Sequence, residues 1–304
     1  MQIRKRSLVG GLVAAALAAT SLVVSTSSAQ AVPVSSYSTS IVTDDTTVYY
    51  PSGLATGVKV PFVLLLQGAE VDKAYYSSYA TQVAATGFIV IVENHDNAVL
   101  GDNYAAETQV SNAATWAVFE NARAASPIKG HIDTGKMGLL GHSFGGVAGL
   151  FASSGLCVPP FCLGLYVRPA ALKAAAFYGT NSNIGGVTLP TLLNGVPVSL
   201  INGSLDGNAT LAETQTSYDL MVGAKRSLVT LDGANHYGIA NVNNPAPAAP
   251  DANVPTIAQA TATSEIALWS AMWIKAQLGD AAANAFVYGT GDAGDPYVTV
   301  QTAG

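Results

Sequence analysis

The chain has 304 residues, of which 49% are hydrophobic and only 11% are charged. Soluble domains carry about 25% charged residues on average, so the surface must be built largely from small and uncharged polar side chains. Intrinsic disorder is excluded, because a chain this apolar with a net charge of −6 can bury a large core.

The N-terminus has the three parts of an export signal. Basic residues stand at positions 4 to 6, an apolar run extends from Leu8 to Val24, and Ala29-Gln30-Ala31 matches a signal-peptidase site. We predict a signal peptide over residues 1–31 and one secreted domain over residues 32–304. The alternative is a membrane anchor, but the apolar run is shorter than the roughly 20 residues that span a bilayer, so no stable membrane insertion is expected.

The net charge of the secreted domain limits the classes of binding partner that we expect. Removal of the signal peptide takes three basic residues and no acidic ones, which leaves 10 basic and 19 acidic side chains. An acidic surface does not favour nucleic acid or anionic membranes. The sequence does not give the oligomeric state, and we expect a monomer.

Short apolar runs then alternate with helical patterns, which is typical of a mostly parallel sheet covered by helices. On the longest early helix, Val110, Ala114 and Val118 are expected to face the core. Residues 241–255 are rich in Pro, Ala and Asn and predict a surface loop near the site. The expected strands cover residues 58–66, 88–92, 137–140, 172–177, 196–201 and 228–231. One expected helix ends at residue 87, and the others cover residues 105–125, 147–153, 211–222 and 264–278.

The strand over 137–140 leads into Gly141-His-Ser143-Phe-Gly145, a G-x-S-x-G pattern followed by a predicted helix. A sharp strand-to-helix turn needs small neighbours, because larger side chains would collide around the serine. The pattern therefore predicts that Ser143 is a nucleophile.

The two cysteines follow that helix in Cys157-Val-Pro-Pro-Phe-Cys162. In an exported protein such a pair closes a small disulfide loop. Two cysteines without a nearby histidine are too few ligands for a metal.

A serine hydroxyl needs a base, and in α/β sheets with this turn the chain order is serine, acid, histidine. His236 is the only histidine after Ser143, so we predict it as the base. Asp206 follows a strand at the sheet edge where catalytic groups gather, and we predict it as the acid that orients His236. Asp232, four residues before the base, is the alternative.

Ester chemistry also needs donors for the developing oxyanion. The N–H of Phe144, which follows the nucleophile, is expected to provide one, and the N–H of Ala69, after the first buried strand, the second. No phosphate-binding glycine motif is present in the sequence, and the segment Glu93-Asn-His95-Asp-Asn alone is weak evidence for a metal. We therefore expect no cofactor and no metal.

Together these residues resemble the α/β-hydrolases, and within them the bacterial cutinases and polyester hydrolases with the chlorophyllase-like and dienelactone-hydrolase-like esterases. The similarity extends from about Tyr49 to Gly289. The resemblance implies an α/β-hydrolase fold with a mostly parallel central sheet and helices on both faces. It also implies the same roles as above for Ser143, Asp206, His236, Ala69 and Phe144.

Two departures bear on the substrate. Polyester hydrolases usually have an aromatic residue where this chain has Ala69, and a Trp where it has Tyr178-Gly-Thr-Asn181. The C-terminal disulfide of many cutinases is also missing.

The expected function is therefore a secreted serine esterase acting on a small-molecule or polymeric ester. The alternatives are a polyester or cutin depolymerase, an acyltransferase, a peptidase, or a catalytically silent binding module.

Overall fold

The computed structural model describes residues 32–304, so the predicted signal peptide lies outside the described residues. Nine strands form one sheet in the order β1-β2-β4-β3-β5-β6-β7-β8-β9. Two further pairs of two-residue strands join residues 183–184 to 187–188 and residues 191–192 to 221–222. The nine strands are β1 Val34–Ile41, β2 Asp44–Pro51, β3 Val60–Leu66, β4 Ile89–Asn94, β5 Ile132–His142, β6 Leu172–Tyr178, β7 Val198–Gly203, β8 Arg226–Leu231 and β9 Val298–Ala303.

The centre of this sheet is parallel. Strands β3 to β8 pair in parallel with their neighbours, whereas β1, β2 and β9 add antiparallel strands at the two edges. The carboxyl ends of the parallel strands therefore share one edge, where ligands bind in open α/β sheets. This architecture confirms the predicted α/β-hydrolase fold.

Helices cover both faces of the sheet. Strand β3 alternates between them, since Val63 and Leu65 join one core and Phe62, Leu64 and Leu66 the other. The first core contains α1 and α5, and the second contains α2, α3 and α4. The helices are α1 Ser77–Ala85, α2 Thr108–Ala122, α3 Phe144–Ser154, α4 Leu211–Leu220, α5 Gln259–Gln277, α6 Ala281–Ala285 and α7 Gly291–Gly294, with a 3₁₀ turn at Lys73–Tyr76 and a π-helical turn at Phe286–Thr290.

Local sequence accounts for the ends of several helices. Helix α1 is followed by Gly87 at φ +107°, a conformation that glycine adopts without a steric cost. Helix α4 begins with a capping box, in which the side chains of Thr210 and Glu213 bond each other's backbone N–H. On α5, Trp269 and Trp273 are buried as their spacing predicts.

The predicted stripe on α2 was wrong in part. Val118 is 55% exposed, and the buried face instead follows Val110, Ala113 and Ala117. Eight residues advance a helix by 80° beyond two full turns, so the spacing 110, 114, 118 drifts off the face that 110, 113, 117 keeps.

The described residues contain one disulfide, between Cys157 and Cys162, with the Cα atoms 5.0 Å apart. It closes the segment that follows α3. Among residues 32–304, no helix is both long and apolar enough to cross a membrane.

Candidate active site

Ser143 lies at the turn between β5 and α3 in a conformation that side chains rarely adopt. Its φ is +51° and its ψ is −120°. The flanking glycines are required sterically: a Cβ on Gly145 would lie 2.3 Å from the carbonyl oxygen of Leu66, and one on Gly141 would lie 2.9 Å from the carbonyl oxygen of Gly145. Backbone strain of this kind concentrates at functional sites.

Three predicted residues meet at this turn. The Oγ of Ser143 lies 2.8 Å from Nε2 of His236, and Nδ1 of His236 lies 2.9 Å from both carboxylate oxygens of Asp206. A carboxylate only accepts hydrogen bonds, so Nδ1 carries the imidazole hydrogen and Nε2 accepts the Ser143 hydroxyl. Asp206 and His236 are 5% and 3% exposed, so water competes little for these bonds. The arrangement can move the serine proton to the imidazole.

The loop after β7 holds Asp206 in place. Its Oδ1 accepts the backbone N–H groups of Asn208 and Ala209 at 3.0 and 2.7 Å. Asp232, the alternative acid, is exposed and accepts the hydroxyl of Ser204 at 3.0 Å instead. Within the described residues, His236 thus has Asp206 and not Asp232 as its side-chain partner.

The two predicted oxyanion donors belong to adjacent segments. Leu66 pairs with Gly141 across β3 and β5, so the loop that carries Ala69 begins beside the Ser143 turn. Neither the N–H of Ala69 nor that of Phe144 donates to any acceptor within residues 32–304. Both groups therefore remain available to a ligand oxygen.

The other three histidines have partners of their own. His95 binds Asp44 through Nδ1 at 2.7 Å, and His131 binds the carbonyl of Val58. His142 is fully buried, and burial together with the neighbouring His236 holds its pKa well below the usual value. It therefore stays neutral near neutral pH.

A comparison with protein families agrees with this geometry. The profile of the PET hydrolase-like family matches residues 13–249, which is most of the chain. The chain belongs to the PET hydrolase-like family. Membership confirms the resemblance predicted from the sequence and makes the chain an ester hydrolase of the α/β-hydrolase superfamily. No curated protein matches it significantly in sequence.

The rings that pack against Phe144, beside the Ser143 turn, come from positions other than that of the Trp in the polyester hydrolases that the sequence resembles. Tyr178 is buried, and its hydroxyl donates to the carbonyl of Asn235. Instead, the ring of Phe144 lies 5.3 Å from that of Tyr104, edge to face, and 4.6 Å from that of Phe161 in the disulfide-closed segment. Phe144, which follows Ser143, is thus held between two rings that were not predicted from the sequence to lie near the site.

A second buried carboxylate lies at the site, and it was not predicted from the sequence. Asp251 is 4% exposed, and its Oδ2 accepts the backbone N–H of His236 at 2.9 Å and that of Gly207 at 3.1 Å. It joins the segment that carries His236 to the segment that carries Asp206. Asp251 lies in the Pro- and Ala-rich loop over 241–255, where composition suggests a solvated acid, so no local signal marks it.

Proposed function

We propose that the chain is a secreted serine hydrolase that cleaves carboxylic esters through an acyl-enzyme. The observation that carries the proposal is the hydrogen-bonded line from Ser143 through His236 to Asp206. Its chain order and its position at the carboxyl edge of a parallel sheet are those that this chemistry uses.

In the proposed reaction His236 removes the hydroxyl proton as Ser143 Oγ bonds the ester carbonyl carbon. The N–H groups of Ala69 and Phe144 then stabilise the negative oxygen of the tetrahedral intermediate. Protonated His236 gives its proton to the leaving alcohol, and the acyl group stays on Ser143. Water, deprotonated by His236, then bonds the acyl carbon, and the bond to Ser143 Oγ breaks as His236 returns the proton to that oxygen, which releases the carboxylic acid. Asp206 keeps the imidazole in the tautomer that both steps need.

Export is supported by two separate features. Residues 1–31 have the pattern of a signal peptide, and a disulfide between the only two cysteines is typical of oxidising compartments. Residues 32–304 are then the secreted catalytic domain.

A polymeric ester is the second candidate substrate. The matched family's description favours it, as do the packed rings of Tyr104, Phe144 and Phe161 beside Ser143. Turnover of soluble p-nitrophenyl esters from acetate to palmitate, compared with product release from an amorphous polyester film, separates the two. Film release far below that expected from the soluble rates contradicts the polymer candidate.

A fluorophosphonate probe tests the mechanism. We expect stoichiometric labelling of Ser143 in the folded wild-type protein, mapped by peptide mass spectrometry, and no labelling of Ser143→Ala. Labelling elsewhere, or esterase activity that survives in Ser143→Ala, contradicts the proposal.

A further inference from the structure

A buried chain of hydrogen bonds connects the loop of Ala69 to the loop of His236. The N–H of Gly68 donates to the Tyr76 hydroxyl at 2.8 Å, that hydroxyl lies 2.9 Å from Nδ1 of His142, and Nε2 of His142 lies 2.9 Å from the carbonyl oxygen of His236. Tyr76 and His142 are both fully buried. This series of direct hydrogen bonds therefore joins the loop of Ala69, on the oxyanion side of the site, to the loop of His236, on the base side.

Only one arrangement of hydrogens satisfies these bonds. The carbonyl of His236 can only accept, so Nε2 of His142 carries the hydrogen. Nδ1 of the neutral ring then accepts from the Tyr76 hydroxyl, whose oxygen accepts from Gly68. The burial that lowers the pKa of His142 agrees with a neutral ring. Each polar group in the chain has a partner, and reversing any one bond would leave a buried group without one.

The packing around this chain leaves little freedom. A Cβ on Gly68 would lie 2.7 Å from Nδ1 of His142, so only glycine allows this approach. The ring of His142 also packs 4.9 Å from that of His236 and 5.8 Å from that of Tyr237. A shift of His142 would therefore move both loops.

We propose that His142 is a positioning residue that, with Tyr76, sets the distance between the oxyanion donor at Ala69 and the base His236. The inference rests on the proposed function. His142 touches no reacting atom: it acts on Ala69 through the neighbouring Gly68, and on His236 through the peptide carbonyl. The residue before the nucleophile thus has a role beyond filling space.

Four variants test this role, with kcat normalised to the fraction of Ser143 that a fluorophosphonate labels. His142→Leu and Tyr76→Phe are expected to lower kcat by about 10- to 100-fold and to change KM by less than about twofold, because the loss affects the transition state. His142→Gln should recover at least part of the loss, since an amide supplies one donor and one acceptor. Tyr79→Phe is the control: Tyr79 is equally buried but takes no part in these hydrogen bonds, so the variant should leave kcat unchanged.

Normalised kcat within twofold of wild type in Tyr76→Phe, or no recovery in His142→Gln relative to His142→Leu, overturns the inference. If His142→Leu does not fold, Tyr76→Phe and His142→Gln decide the question. Nitrogen NMR of ¹⁵N-labelled imidazole rings gives a readout independent of catalysis: the His142 ring is expected to be neutral with hydrogen on Nε2. A charged ring or the Nδ1–H tautomer overturns the inference and leaves the proposed function standing, whereas an unlabelled Ser143 in wild type overturns the proposed function itself.

Discussion

Two loops contact the Ser143 turn, and they are held in different ways. The base loop, residues 232–238, is fixed by hydrogen bonds, since His236 alone binds Asp206, Asp251 and His142. The disulfide loop, residues 157–162, is fixed by a covalent bond, by the packing of Phe161 against neighbouring rings and by hydrogen bonds to Glu107 and Asn97. None of these hydrogen bonds involves Ser143, His236 or Asp206. Hydrogen bonds are directional and set individual atoms, whereas apolar contacts tolerate small shifts.

This difference predicts that the two loops respond differently to substitution. Changes in the polar contacts of the base loop should reduce turnover far more than folding stability. Changes in the disulfide loop should reduce stability while turnover of a small ester persists. The predictions below test that separation, from the largest expected effect to the smallest.

Asp206→Asn tests the base loop. The substituted amide can donate to Nδ1 of His236, which moves the imidazole hydrogen to Nε2 and blocks acceptance of the serine proton. We expect kcat for p-nitrophenyl acetate to fall by about 10⁴-fold. Asp232→Asn is the matched control, because Asp232 is exposed and bonds Ser204. A larger loss in the control than in Asp206→Asn would make Asp232 the acid.

The Cys157→Ser/Cys162→Ser double variant tests the disulfide loop. The bond links residues five apart in sequence, and loss of such a short closure costs about 2 kcal/mol of unfolding free energy. The melting temperature should therefore fall by about 5 °C, while kcat for p-nitrophenyl acetate stays within about twofold of the wild-type value. A loss of turnover comparable to that of Asp206→Asn would contradict the separation of the two loops.

Reduction of the wild-type protein is the control for this variant. The sequence has only two cysteines, so a reductant acts on this disulfide alone. Wild type under reductant should melt at the temperature of the double variant, and the variant should not respond. A response of the variant would mean that the reductant acts elsewhere.

A strand can be predicted from the sequence when its own residues carry the pattern that identifies it. Strands β3 and β4 are nearly continuous apolar runs because both faces are covered, and they were predicted. Strands β1 and β9 are edge strands rich in Ser, Thr and other polar residues, and they were not. Their place depends on pairing with distant partners, which local composition does not encode.

The site divides in the same way. Ser143 has a local motif, and His236 follows from its position in the chain order, so both were predicted as site residues. Asp251 and Tyr76 act through contacts with residues distant in sequence: Asp251 is 15 positions from His236, and Tyr76 is 66 positions from His142. Their partners are set by the paths of loops, so the sequence alone did not identify them.

The smallest expected effect is on the pH dependence of stability, and it involves Glu107, which bonds the disulfide loop. Glu107, fully buried at the start of α2, accepts the N–H of Val158 at 3.2 Å, and its Oε2 has no partner within residues 32–304. Burial raises its pKa from 4.5 to about 7. Between these pH values the unfolded chain releases a proton that the folded chain keeps, so this carboxyl makes stability fall as pH rises.

Glu107→Gln should remove that dependence. The variant is expected to melt close to wild type near pH 5 and a few degrees above it near pH 8, which corresponds to about 1 kcal/mol. Glu120→Gln, on the same helix, should change stability with pH in the opposite direction. Although burial raises the pKa of Glu120, hydrogen bonds from Arg123 and Tyr37 lower it overall. That variant should therefore lose stability near neutral pH and approach wild type in acid. Melting differences that do not change with pH would mean that the Glu107 carboxyl is ionised in the folded protein throughout this range.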